Sequence, residues 1–162
     1  MSSIGDGDVR ARRRAAAGIK LSLRELRNQL SLLNHQVGAR LRLRDVDLDC
    51  LELVLEHGPL TPSALARRAG LHPATMTGVL DRLQKCGWVT RERDPEGPDR
   101  RAVLVRAVKD RNAELFGLYA GMNSAMDDLL EGYSEAELAL LDDFLRRTTE
   151  AGRAATEELA QD

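Results

Sequence analysis

The residues best suited to chemistry lie in one stretch between residues 71 and 108, LHPATMTGVLDRLQKCGWVTRERDPEGPDRRAVLVRAV. Its first half places small and hydroxylated side chains at helical spacing, and its second half is rich in arginine. Small residues allow close approach to DNA, and hydroxyls bind phosphates or base edges. Arginines are attracted by the negative potential of a narrow minor groove. The stretch therefore predicts binding to a polyanion.

Motifs for catalysis are missing from the sequence. It contains no nucleophile elbow, phosphate loop, zinc-ligand spacing or paired-carboxylate motif. The three histidines, His35, His57 and His72, fall on separate predicted elements. We therefore expect a protein that is not an enzyme and that has no cofactor and no metal site.

Composition and charge favour a helical domain with a basic middle. A chain of 162 residues with 3% aromatic residues suits one compact, mainly helical fold. Residues 61–111 carry eleven Lys and Arg against six Asp and Glu, whereas residues 112–162 carry three against twelve. A polyanion-binding surface would have this distribution, although a mixed solvated surface would have it too.

No apolar run approaches the roughly 20 residues that a membrane span needs, and the N-terminus lacks the apolar core of a signal peptide. We expect a cytoplasmic protein without a membrane partner. Cys50 and Cys86 are too few for a disulfide framework, and we predict that both pack as small apolar side chains. Reactivity is the weaker interpretation, and Cys86, next to Lys85, is its only candidate.

Long helices are predicted at both ends of the chain. Residues 1–17 show no hydrophobic period and are interpreted as a disordered basic tail. Leucines and a valine then recur every three or four residues over 18–44, and similar stripes occur within 108–162. The letters SEAE from Ser134 have the form of a capping box. We interpret 18–44 and 108–162 as dimerisation helices, with an intramolecular bundle as the alternative.

The middle of the chain predicts a winged helix-turn-helix over residues 45–107. A short helix over 46–56 ends at Gly58 and Pro59, and a second runs from Thr61 as N-cap to Gly70. A third helix opens at Pro73 after a tight turn. Two alternating segments around DPEGP then predict a β-hairpin.

A helical wheel separates two faces of the segment 73–86. Met76, Val79, Leu80 and Leu83 lie on one side and are expected to face the core. The opposite side carries Ala74, Thr75, Gly78, Asp81, Arg82 and Lys85, with Thr77 at its margin. The hairpin adds five arginines, namely Arg91, Arg93, Arg100, Arg101 and Arg106. A solvated edge strand protected by charge is the alternative interpretation of these arginines.

These residues resemble the winged helix-turn-helix core of MarR-family transcriptional regulators. The resemblance rests on TMTGVLDRL in the third helix, GWV before the wing, and DRR followed by an apolar strand. It implies a homodimer on a pseudo-palindromic operator, with Asp99 orienting Arg101 in the minor groove. It also implies a small anionic or phenolic ligand. Gly78 departs from the family, many of whose members have an arginine there, and the wing has a Gly-Pro insertion.

We therefore predict a mainly α fold with a small β-hairpin wing and long dimerisation helices. The predicted function is a dimeric DNA-binding regulator, a repressor released by a ligand; a winged-helix protein-interaction module is the alternative. The predicted DNA-binding residues are Thr61, Ser63, Ala74, Thr75, Thr77, Gly78, Arg82, Arg93, Asp99, Arg100 and Arg101. The predicted ligand pocket comprises His35, Gln36, Arg44, Tyr119 and Met122.

Overall fold

The structure is a computed structural model that describes residues 3–93 and 102–159, with side chains described from residue 7 onward. The described residues form six helices and one two-stranded sheet: α1 Ser3–Leu41, α2 Asp45–His57, α3 Pro62–Ala69, α4 Pro73–Lys85, β1 Val89–Arg93, β2 Val103–Ala107, α5 Lys109–Leu130 and α6 Glu135–Leu159. They fall into two compact units, Met1–Leu115 and Phe116–Asp162. The predicted fold class is confirmed.

Helix α1 begins at Ser3. The prediction of a disordered tail over residues 1–17 is therefore wrong within the described part of the chain. Four arginines and four alanines fill positions 10–17, and both residue types have high helix propensity. Once the downstream turns exist, each added residue gains a backbone hydrogen bond without a new nucleation cost. Hydrophobic periodicity misses such a segment because its side chains are exposed on all faces.

The junction between α1 and α2 is a tight turn with a left-handed residue. Arg42 has φ 56°, and the N–H of Leu43 donates to the carbonyl of Gly38 at 2.8 Å. A Cβ atom on Gly38 would lie 3.0 Å from the Leu43 carbonyl oxygen. The turn therefore favours glycine at position 38, because a side chain there would crowd the Leu43 carbonyl.

The core of the first unit lies between α2, α3, α4 and the sheet. Its largest fully buried side chains include Trp88, Leu48, Leu51, Leu65, Met76, Leu80, Leu83 and Val105. The Thr61 hydroxyl accepts from the N–H of Ala64 at 3.2 Å, so the predicted N-cap of α3 is confirmed. Gly70 ends the same helix in the left-handed conformation. Gly58, with φ 74° and ψ −159°, ends α2 outside that region.

The two strands form the predicted antiparallel hairpin, with Val89 opposite Ala107 and Arg93 opposite Val103. Leu60, in the turn between α2 and α3, adds a bridge to Val105. The N–H of Val105 donates to the Leu60 carbonyl at 2.8 Å, and the reverse bond is 3.2 Å long. The bridge ties the hairpin to the helical core. A single paired residue has no alternation, so sequence patterning could not predict it.

In the second unit, the predicted capping box at the start of α6 is confirmed. The Glu137 carboxylate accepts from the N–H and hydroxyl of Ser134 at 2.8 and 2.7 Å. The bonds from the Ser134 hydroxyl and N–H lower the pKa of Glu137. Large apolar side chains of α6 remain exposed, namely Leu140, Leu141, Phe144 and Leu145. Of the helices described, none is long and apolar enough to cross a membrane.

Candidate nucleic-acid interface

Helix α4 has one buried and one exposed face, as the helical wheel predicts. Met76, Val79, Leu80 and Leu83 are at most 1% exposed. Ala74, Thr75 and Thr77 are exposed, and Gly78 is half-buried. The exposed face carries small side chains over its first two turns. A DNA backbone or base edge can therefore approach it closely, which suits a recognition helix in a major groove.

The start of α4 is held by His72, whose role the sequence analysis missed. Its Nδ1 atom accepts from the N–H of Ala74 at 3.3 Å, so His72 is the N-cap. Pro73 follows at the first helical position. The Thr77 hydroxyl donates to the Pro73 carbonyl at 3.1 Å, which leaves its oxygen lone pairs as acceptors. Thr77 can therefore accept a hydrogen bond from a base amino group.

Arg82 lies at the interface between α4 and α2. Its Nε atom donates to Oδ2 of Asp47 at 2.9 Å, and Nη2 donates to Oδ1 at 2.6 Å. The Asp47 side chain is 2% exposed and that of Arg82 is 35% exposed. The hydrogen bond to Asp47 raises the pKa of Arg82. Arg82 therefore has an ion-pair partner inside the protein, Asp47. Its contact with DNA stays a prediction.

The role of Asp47 was not predicted either, although the sequence contains a signal for it. Asp47 shares one helical face with Cys50, Leu51 and Val54, all of which are buried. A carboxylate in an otherwise apolar stripe needs a buried partner of opposite charge. The chain offers several arginines, and only the packing of α4 against α2 selects Arg82.

Thr61 and Ser63 lie together at the start of α3. Their hydroxyl oxygens are 3.1 Å apart, and Ser63 is exposed while Thr61 is half-buried. The first turn of a helix presents backbone N–H groups that attract anions. This position suits a phosphate contact, and DNA binding by Thr61 and Ser63 stays a prediction.

The wing is described only in part. Arg93 is exposed at the end of β1, whereas the predicted residues Asp99, Arg100 and Arg101 lie outside the described residues. Two other wing arginines have acidic partners. Arg91 Nη2 donates to Asp81 Oδ1 at 2.5 Å, and Arg106 Nε lies 3.6 Å from Glu92 Oε2. Arg91 therefore helps to join the wing to α4.

The predicted ligand-pocket residues are divided between the two units. In the first unit, His35 Nδ1 lies 3.1 Å from Oδ1 of Asp45, Gln36 is exposed, and Arg44 is the N-cap of α2 without a side-chain cap bond. Tyr119 and Met122 are half-buried in the second unit. The pocket stays a prediction.

The two cysteines have different environments. Cys50 is buried, and burial, followed by the nearby charge of Asp49, raises the pKa of its thiol to about 11. Cys86 is exposed, so the prediction that it packs as an apolar side chain is wrong. It is the C-cap of α4, after the last helical residue Lys85. Among the described residues, no group of three or more His, Cys, Asp or Glu could hold a metal ion.

The chain is similar in sequence to known transcriptional regulators. Residues 43–103 match the model of the MarR family. The chain is 32% identical to the HTH-type transcriptional regulator YcgE of Bacillus subtilis over 132 residues, 81% of this chain and 84% of YcgE. It is 33% identical to the HTH-type transcriptional repressor YetL of Bacillus subtilis over 78 residues, 48% of this chain and 46% of YetL.

The fold comparison agrees with the sequence comparison. The structure of a MarR family protein from Bacillus stearothermophilus superposes with a TM-score of 0.66 at 21% identity, covering 87% of this chain and 97% of that one. MarR regulators bind DNA, typically as dimers, and are not enzymes. By sequence and by fold, the chain belongs to the MarR family of helix-turn-helix transcriptional regulators.

Proposed function

We propose that the protein is a homodimeric repressor that binds a pseudo-palindromic operator and is released by a small anionic or phenolic effector. The observation that carries the proposal is the exposed face of α4, where Ala74, Thr75, Thr77 and Gly78 stand opposite a fully buried face. A repressor role is supported by the similarity to YetL. Because its target is chromosomal DNA, we expect the protein to act in the cytoplasm.

In the proposed complex, two recognition helices enter successive major grooves about 34 Å apart. Thr75 and Thr77 contact base edges, and Ser63 contacts a phosphate. The absence of a long side chain at Gly78 lets the helix backbone approach the bases. Arg93 and Arg101 extend the contact into the flanking minor grooves, with Asp99 orienting Arg101, and narrow grooves attract such arginines.

The dimer is supported by apolar side chains that the single chain leaves exposed. Leu21 and Leu32 of α1 are 64% and 59% exposed, and Leu129 of α5 and Leu140 of α6 are each 69% exposed. Isolated apolar side chains are common on protein surfaces, but rows of them on long helices mark association sites. A second copy of the chain supplies the matching rows.

The test of DNA binding is a fluorescence-anisotropy titration against tiled upstream fragments from the protein's own genome, at two salt concentrations. We expect one fragment to bind far more tightly than the others. Each phosphate contact should steepen the fall of log affinity with log salt by about 0.9. Arg101→Ala should weaken binding strongly. Arg147→Ala, which removes an equal charge from α6, is the control because its side chain is 72% exposed.

Uniform weak binding to all fragments would contradict the regulator proposal and favour a protein-interaction module.

The effector is tested on the same operator complex with 4-hydroxybenzoate, a small phenolic carboxylate. It should weaken operator binding by the wild-type protein and do so less in His35→Ala. A ligand shifts the equilibrium only through different affinities for the DNA-competent and DNA-incompetent states. Equal weakening in both proteins would remove His35 from the pocket.

A further inference from the structure

Arg111, in the first turn of α5, contacts the end of the recognition helix and the start of the wing. Its Nη1 atom donates to the carbonyl oxygen of Cys86 at 2.6 Å. Its guanidinium carbon lies 3.7 Å from the centre of the Trp88 ring. Its Nε and Nη2 atoms donate to Oε2 of Glu114 at 3.1 and 2.7 Å. All three nitrogens of the guanidinium are therefore engaged within the protein.

The carbonyl oxygen of Cys86 is well placed to accept a hydrogen bond from this cation. Helix α4 ends in a Schellman motif, in which the N–H of Trp88 donates to Leu83 at 2.9 Å and that of Gly87 donates to Gln84 at 3.0 Å. Gly87 has φ 74°, which glycine adopts without strain. The motif leaves the Cys86 carbonyl at the negative end of the helix dipole. Arg111 supplies the positive charge that this end favours.

Trp88 gives the second half of the connection. Its side chain is 1% exposed, and its backbone leads directly into β1. The N–H of Val108, just before α5, donates to the Trp88 carbonyl at 2.9 Å. The guanidinium covers the face of the indole ring, an arrangement in which a cation is attracted by the ring quadrupole. One side chain thus joins the end of α4 and the residue before β1 to the first turn of α5.

We propose that Arg111 is a positioning residue that sets the orientation of α4 relative to the start of α5 and thereby the angle at which the recognition helix meets DNA. This inference rests on the proposed function. Operator binding requires the spacing of two recognition helices to match one DNA turn. A small rotation at the C-terminal end of α4 displaces the DNA-contacting residues at its other end, so a fixed junction keeps the dimer in register.

The test compares Arg111→Met and Arg111→Lys with Lys109→Met. Lys109 lies two residues earlier on α5 and is exposed, so its variant removes the same charge from the same turn. Arg111→Lys keeps the charge but loses the planar group that covers Trp88 and donates to Cys86 simultaneously. Three readouts are used: operator affinity at two salt concentrations, emission of Trp88, the single tryptophan of the chain, and amide hydrogen exchange across residues 84–88.

We expect Arg111→Met to bind the operator at least tenfold more weakly than the wild type at both salt concentrations. The operator affinity of Arg111→Lys should lie between those of Arg111→Met and the wild type. The affinity of Lys109→Met should differ from that of the wild type only at low salt. In the DNA-free protein, only the Arg111 variants should shift the Trp88 emission and speed exchange at residues 84–88. If Arg111→Met is too unstable to purify, Arg111→Lys carries the test.

Two results would overturn the inference. In the first, Arg111→Met changes the emission and the exchange but binds DNA as the wild type does, and Arg111 is then a purely structural residue. In the second, emission and exchange match the wild type, whatever happens to DNA affinity. Failure of the wild-type protein to prefer any fragment would instead refute the proposed function, and the exchange data would still show whether Arg111 orders the end of α4.

Discussion

Arg82 makes a contact inside the protein that its position on a helical wheel does not predict. On a helical wheel it belongs to the face of α4 that we propose contacts DNA, but its guanidinium donates to the carboxylate of Asp47 on α2. A bidentate pair with a 2% exposed Asp47 side chain is a fixed contact rather than a surface ion pair. The pair holds α4 against α2, so we expect the loss of Arg82 to weaken DNA binding even if Arg82 does not contact DNA.

Asp47→Asn tests the structural role of this pair. It keeps the side-chain shape but leaves the arginine without its countercharge. Breaking a buried pair by removing one partner costs about 3 kcal/mol or more; because Arg82 is partly exposed, we expect a loss of about 2–3 kcal/mol. Urea unfolding measures this loss. Asp49→Asn removes the same charge two residues away at an exposed position and should change stability by less than about 0.5 kcal/mol.

The two thiols should differ in reactivity for reasons visible at the residue scale. With a pKa of about 11, the buried Cys50 thiol remains protonated at pH 8, and the thiolate is the reactive form. Cys86 is exposed. A disulfide reagent at pH 8 should therefore modify Cys86 rapidly in the native protein and Cys50 only after unfolding. Cys86→Ala should abolish the rapid phase. A rapid phase that survives this substitution would show that Cys50 is accessible.

The ends of the helices set the geometry of the first unit. Three of them use the same paired bonds to close the last turn: α1 at Gly38 and Leu43, α3 at Ala66 and Leu71, and α4 at Leu83 and Trp88. Glycine occupies the left-handed position in α3 and α4. In α1 that position is Arg42, with φ 56°, a conformation that is strained for a side chain with a Cβ atom.

Arg42→Gly should therefore stabilise the protein. The left-handed conformation costs a non-glycine residue roughly 1–2 kcal/mol, and the greater freedom of glycine in the unfolded chain offsets part of the gain. We expect a net increase of about 0.5–1 kcal/mol in the free energy of unfolding, measured in urea. Arg40→Gly, inside the same helix, is the control and should lower stability by about 1 kcal/mol. A loss of stability in both variants would contradict the strain at Arg42.

The distribution of charge along the chain agrees with the proposed roles, which are DNA binding by α3, α4 and the wing and dimerisation by the C-terminal helices. Residues 61–111, which include α3, α4 and the wing, carry eleven Lys and Arg against six Asp and Glu, whereas residues 112–162 carry three against twelve. DNA attracts the first region and repels the second. Helix α6 presents its apolar residues on one side and an ion-paired row of Asp143, Arg146 and Glu150 on another. The apolar side is the surface that a second copy would cover.

The dimer is tested by analytical ultracentrifugation of the wild-type protein and Leu145→Glu. We expect twice the chain mass for the wild type down to low micromolar concentration. Leu145→Glu places a charge in the proposed interface and should weaken association tenfold or more, about 1.4 kcal/mol. Ala139→Glu lies on the charged side of α6 and is the matched control. Equal dissociation in the two variants, or a monomeric wild type, would contradict association through this face.

Local patterns in the amino-acid sequence predict the helices and strands and their order, because the signals lie within a few residues of each element. Apolar spacing, Thr61, Ser134 and the glycines after α3 and α4 act within a few residues of the helix they begin or end. The same local logic predicted the exposed face of α4. It failed for residues 3–17, where helix propensity operates without an apolar face.

Contacts between groups far apart in the chain depend on the packing of the elements and could not be predicted from the sequence. Arg82 and Asp47 are 35 residues apart in the chain, and Arg111 and Cys86 are 25 apart. Leu60 reaches Val105 across α3, α4 and β1. With 24 Lys and Arg and 26 Asp and Glu, the number of possible pairs is large. The selection depends on how the elements pack, because desolvation makes a charge pair significant only where packing brings both groups out of water.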